Sequence, residues 1–105
     1  MNKLKSEKEY VSYKHLSIDE ENSSVVYLGY TLYLTKTEYK IIEALMRNVN
    51  TPISAEQISY LLSVDLSKEN IAFHIFNINT KAKSISNRVL VKNTSKIGYF
   101  LNEEM

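Results

Sequence analysis

SAEQISYLLSVDLSKENIAFHIFNINTKAKSISNRVLVKNTSKIGYFL, residues 54–101, is the stretch on which the fold turns. It opens with Ser54-Ala55-Glu56-Gln57, a capping box. The serine hydroxyl can accept the backbone N–H three residues on, and the glutamine side chain can reach back. Ile58, Leu61 and Leu62 then give one apolar face to a short helix, about 55–63. Val64 to Ser67 is a tight link. Ser67 suits the N-cap of a longer helix over about 68–85, with the apolar stripe Ile71, Ile75, Ile78, Ala82 and Ile85. Asn87 can take the left-handed conformation that ends it. Val89–Lys92 and Tyr99–Leu101 flank Asn93–Gly98, which reads as a β-hairpin with Gly98 supplying a positive φ.

Upstream, Pro52 stops any continuation of the preceding segment. That segment starts at a second capping box, Thr35-Lys36-Thr37-Glu38, and places Tyr39, Ile42, Leu45, Met46 and Val49 at helical spacing. A helix over about 36–48 is predicted. Before it the period changes to two. β-Branched and aromatic residues alternate with polar ones, and Glu20–Ser24 and Gly29-Tyr30 punctuate them. Four short strands follow, at about 10–14, 15–19, 25–28 and 31–34, as an antiparallel meander. The order is four strands, three helices and one hairpin. Two helices joined by a short turn and followed by a basic hairpin make a winged helix-turn-helix. The predicted class is therefore α+β, with an N-terminal four-stranded antiparallel sheet and a C-terminal hairpin wing. In helix-turn-helix proteins generally, the second helix of the pair enters the major groove, ~12 Å wide.

The chain has 105 residues, the size of one domain. It is read as a folded body over 9–102 between tails at 1–8 and 103–105. The absence of Cys excludes disulfides, zinc fingers and thiol catalysis. The two Gly exclude both phosphate-cradling glycine motifs. The apolar runs are too short to span a membrane, and residues 1–10 show no signal-peptide h-region, so the expected compartment is the cytoplasm. The net charge of +1 hides an asymmetry. Residues 70–102 carry Lys81, Lys83, Arg88, Lys92 and Lys96 and no acid, whereas residues 1–69 are net −2. A basic module on a mildly acidic body points to an anionic partner.

Several pieces together resemble the winged-helix effector domains of OmpR/PhoB-type response regulators. They are Leu16-Ser17-Ile18-Asp19, Leu32 to Ile42, Ile53 to Ile58, Asn70 to Ile75, and Ile97-Gly98-Tyr99-Phe100-Leu101. The likeness spans roughly residues 10–101 and the order "L-T-x-x-E-Y … S-x-E-Q-I … H-I … G-Y-x-L". It implies the same fold and sequence-specific DNA binding, with the third helix in the major groove and the hairpin near a minor groove. By position it marks Asn70 and Asn77 on the helix, Asn93 and Ser95 in the wing, and Tyr99 at the wing's base as DNA contacts. The chain also departs from the pattern. The family usually carries arginines after its H-I pair, where this chain has Phe76, Asn77, Ile78 and Asn79. The wing arginine is replaced by Ser95, with Lys96 beside it. The link between the second and third helices is short, where the family's is often longer and touches RNA polymerase. The 105 residues leave no room for the receiver domain that phosphorylation controls, so a stand-alone effector domain or a fragment is expected.

On a wheel of 100° per residue, Phe73, Phe76, Asn77, Thr80 and Ser84 lie opposite the apolar stripe. Asn70, Asn77 and Thr80 are the expected base contacts. Lys81, Lys83, Arg88, Lys92, Asn93, Ser95, Lys96 and Tyr99 are the expected backbone contacts, which position a protein without reading sequence. Phe73 and Phe76 are candidates for a protein interface; contact with thymine methyls and packing back onto the sheet or wing are the other uses open to them, and packing or an interface is the expectation for Phe73. The expected partner is double-stranded DNA, A·T-rich because asparagine reads adenine and arginine is missing. RNA polymerase or a self-association partner is the protein alternative, in which the winged helix serves as an interaction module with weak or lost DNA binding. No catalytic residue, metal, cofactor, membrane or small-molecule substrate is expected: two lone His without Cys make no ligand set, and no Ser/His/Asp spacing suggests a nucleophile.

Overall fold

A computed structural model describes residues 11–95 and 97–104; the tail assigned to residues 1–8 and the wing residue Lys96 lie outside the described residues. Strands β1 (Val11–Tyr13), β2 (Leu16–Asp19), β3 (Ser24–Tyr27) and β4 (Tyr30–Leu32) form one antiparallel sheet in the order β1-β2-β3-β4. Helices α1 (Lys36–Met46), α2 (Ala55–Leu62) and α3 (Lys68–Ser86) follow. Strands β5 (Val91–Thr94) and β6 (Gly98–Leu101) close the chain as a hairpin.

The period-2 alternation decides which sheet face is covered. Leu16, Ile18, Val25, Tyr27 and Leu32 are buried, and the register pairs Leu16 with Tyr27 and Val25 with both Ile18 and Leu32. β2 and β4 are shorter than predicted, and β3 keeps its length but starts one residue earlier. Leu28 does not extend β3: with φ near +53 beside Gly29 at +84 it forms a two-residue hairpin turn that needs positive φ at both positions. β4 ends at Leu32, and Leu34 packs against the core from outside the sheet.

Both capping boxes form. Thr35 Oγ1 accepts from the Glu38 N–H, while Glu38 Oε1 accepts from the Thr35 N–H. Ser54 and Gln57 repeat the arrangement on α2. α1 stops at Met46, two residues earlier than predicted, where the Asn48 side chain donates to the Ala44 carbonyl at 2.8 Å and satisfies a terminal acceptor. α2 ends in left-handed Ser63, and Ser59 pins the link to α3 by donating to the Val64 carbonyl and accepting from the Leu66 N–H. Ser67 caps α3, and Asn87 ends it at φ near +67.

Helix α3 is the element that this scaffold positions. Ile71, Ile75, Ile78 and Ala82 enter a core shared with the sheet, α1 and α2. Each buried isoleucine contributes about 1.5–3 kcal/mol. At the far end the Tyr27 hydroxyl donates to Ser86 Oγ at 2.8 Å, so β3 holds the last turn. The wing is attached separately. β6 bridges back to Ile53, with the Tyr99 N–H donating to the Ile53 carbonyl at 2.8 Å and the Ile53 N–H to the Tyr99 carbonyl at 2.9 Å. The hairpin loop is three residues, 95–97, tighter than the predicted 93–98, because Asn93, Thr94 and Gly98 join the ladder.

Candidate nucleic-acid interface

The side of α3 opposite its buried stripe is open to solvent. Asn70, Phe73, Phe76, Thr80 and Lys83 are exposed there and Asn77 is half-buried. Phe73 and Phe76 are 60% and 65% exposed. Phe73 therefore does not fold back onto the body; its ring stands edge-to-face with that of half-buried His74, with centroids 6.1 Å apart. Asn77 makes no side-chain hydrogen bond among the described residues. Thr80 donates its hydroxyl to the Phe76 carbonyl at 3.0 Å. On the wing, Lys92, Asn93 and Ser95 are exposed. Tyr99 is half-buried against the core, so it serves the wing's base first.

Two of the expected cations have partners within the fold. Lys81 was expected to face phosphate, but its ammonium lies 2.6 Å from Glu38 Oε1, and Glu38 is only 2% exposed. Glu38 thus has two tasks: it closes the α1 capping box and it holds α3 through Lys81. An acid withdrawn from water needs its counter-charge. The sequence signal was present but weak, since Lys81 flanks the core stripe three residues after Ile78. Replacing Lys81 by Met should lower unfolding free energy by about 2 kcal/mol, less than the usual cost of breaking a fully buried pair because the lysine is partly exposed. Urea denaturation checks it, and adding Glu38→Gln to Lys81→Met should restore most of the loss. Arg88 is exposed, but its guanidinium donates to the Glu104 carbonyl at 3.0 Å, tying down the C-terminal end.

Asn79 was missed altogether as a functional position. Its Oδ1 accepts from the N–H groups of Leu90 and Val91 at 2.9 and 3.0 Å, and its Nδ2 donates to the Val91 carbonyl at 3.0 Å. One side chain on the exposed helix thereby fixes where the wing starts. Buried Asn102 does the same from the other end, donating to the Val89 carbonyl and accepting from the Glu104 N–H, each at 2.9 Å. Helix α3 and the base of the wing are thus hydrogen-bonded to one another, and the sequence from Asn70 to Asn102 carries no acid. Among the described residues no three His, Asp or Glu side chains group as a metal site, and no helix is long and apolar enough to cross a membrane.

Solved structures share this architecture. The DNA-binding domain of the response regulator AdeR, crystallised with an intercistronic region, is 24% identical and superposes with a TM-score of 0.79, over 88% of this chain and 97% of that one. The Klebsiella pneumoniae RstA DNA-binding domain, in complex with the RstA box, is 15% identical with a TM-score of 0.75, over 90% and 98%. A redox sensor of the streptococci, described as evolved from two-component response regulators, is 21% identical with a TM-score of 0.75; the match covers 89% of this chain but only 42% of that one. No family model and no curated protein matches the chain. The fold is the winged helix-turn-helix of response-regulator DNA-binding domains, with its N-terminal sheet, three helices and wing.

Proposed function

We propose that this chain is a sequence-specific DNA-binding transcriptional regulator of the cytoplasm, not an enzyme. Helix α3 enters the major groove and the β5–β6 wing lies near the adjacent minor groove. The observation that carries the reading is the surface just described: an open helix face and a wing hydrogen-bonded to that helix through Asn79, with no carboxylate between Asn70 and Asn102. Domains of the same fold crystallised with DNA support it. Asn70, Asn77 and Thr80 face bases. Lys83, Lys92 and Lys96 neutralise phosphates, with Arg88 reaching them from the end of α3, and Asn93 and Ser95 add wing contacts.

Titration of duplex DNA at several salt concentrations tests this. With about four phosphates neutralised, the log–log slope of affinity against salt should be about −3.6. Lys83→Ala and Lys92→Ala should each weaken binding to all sequences alike and make the slope shallower by about 1. Absence of salt-dependent binding to any duplex would sink the proposal. A second reading follows from the exposed phenylalanines: the domain as a protein-interaction module. Replacing both Phe73 and Phe76 by Ser would then abolish a protein association and leave DNA binding unchanged.

A further inference from the structure

We infer that Phe73 and Phe76 determine specificity by reading thymine C5-methyl groups, so that the target site is A·T-rich where α3 meets it. This rests on the DNA-binding reading and adds to it what the helix recognises. The two rings stand on successive turns at i, i+3 and are both mostly in water. An exposed aromatic pair gains nothing from phosphate. In the major groove the one apolar feature of a base edge is the thymine methyl.

The polar neighbours point the same way. Thr80 donates its hydroxyl hydrogen bond to the Phe76 carbonyl, which leaves its methyl and an accepting lone pair for a ligand. In that arrangement its methyl is the part that matches a thymine. Asn77, unpartnered among the described residues, has the donor–acceptor pair that matches adenine. No arginine or lysine lies between Asn70 and Thr80, so the bidentate guanine readers are missing there. Glu69 precedes this face in the first turn, at the positive end of the helix dipole. The flanking cations Lys83 and Lys92 favour a duplex over a protein as the occupant of the apolar pair.

The test uses the whole chain and duplexes obtained by binding-site selection. Thymines in the selected site are replaced one at a time by deoxyuridine, which removes the methyl and keeps the hydrogen-bonding edge. Wild type should lose about fourfold in affinity for each methyl that is read. Phe73→Ala and Phe76→Ala should lose a similar factor on the thymine site and become insensitive to the matching deoxyuridine. Both positions are exposed, so circular dichroism should show both variants folded. Deoxyuridine that costs nothing, or that costs wild type and variants equally, overturns the inference while leaving DNA binding intact. So does loss of self-association in the variants with unchanged DNA affinity. Failure to bind any duplex overturns the parent reading itself.

Discussion

Replacing Gly98 by Ala is expected to destabilise the protein by about 4 kcal/mol, near the upper end for a single substitution. The position combines two requirements. Its φ is near +145, a conformation that L side chains rarely adopt. A Cβ there would also stand 2.4 Å from the Ile53 carbonyl oxygen, 2.5 Å from its carbon and 2.7 Å from the Ser54 nitrogen. These are backbone atoms and cannot rotate aside. Relief requires β6 to move off Ile53, which breaks the paired bonds between Ile53 and Tyr99 and disturbs the residue that caps α2. Gly29 is the internal control. Its φ is also positive, but nothing lies within 4 Å of an added Cβ, so Gly29→Ala should cost only about 1–2 kcal/mol of backbone strain. Denaturant titration of the two variants separates close approach from conformational preference; equal losses would show that the contact with Ile53 is unimportant.

Asn79→Ala is expected to cost about 3 kcal/mol, lowering the midpoint of thermal unfolding by roughly 15 °C. Alanine is the better helix former and recovers a few tenths of a kcal/mol. Against that, the N–H groups of Leu90 and Val91, both in buried residues, lose their acceptor. Each buried donor left unsatisfied costs about 1–3 kcal/mol. Asn79→Asp keeps the acceptor and loses the donor to Val91, so its cost should be smaller. Hydrogen exchange should show the Leu90 and Val91 amides losing protection in the alanine variant while the amides of Ile41 and Ile42 keep theirs relative to global stability. DNA affinity should fall as well, although Asn79 itself is turned to the wing, because α3 and β5 would no longer be held in one arrangement. A stability loss under 1 kcal/mol would mean that water replaces the side chain at no cost.

These two positions also mark the boundary of what the sequence discloses. Capping at Thr35, Ser54 and Ser67 and the left-handed stop at Asn87 are local events, encoded within four residues, and all were legible. The apolar stripe of α3 and the alternation in β2 and β3 were legible for the same reason. The positive φ of Gly98 could be read, but its approach to Ile53 is a contact across 45 positions that no spacing rule shows. Lys81 looks like any basic helix residue until Glu38, far away in the chain, is seen buried beside it. Asn79 looks like a solvated polar residue because its partners are backbone groups of a hairpin whose register sequence does not fix. The face of α3 was legible from periodicity; which of its cations are free was not.

Amide chemical-shift mapping of the domain during titration with a selected duplex decides whether α3 and the wing hold the DNA. Shifts should concentrate at Asn70, Phe73, Asn77, Thr80 and Lys83 and at Lys92–Ser95, with the outer sheet strand β1 unmoved. A footprint centred on the exposed Tyr60, Leu61 and Val64, with α3 and the wing silent, would contradict the proposed mode of DNA recognition.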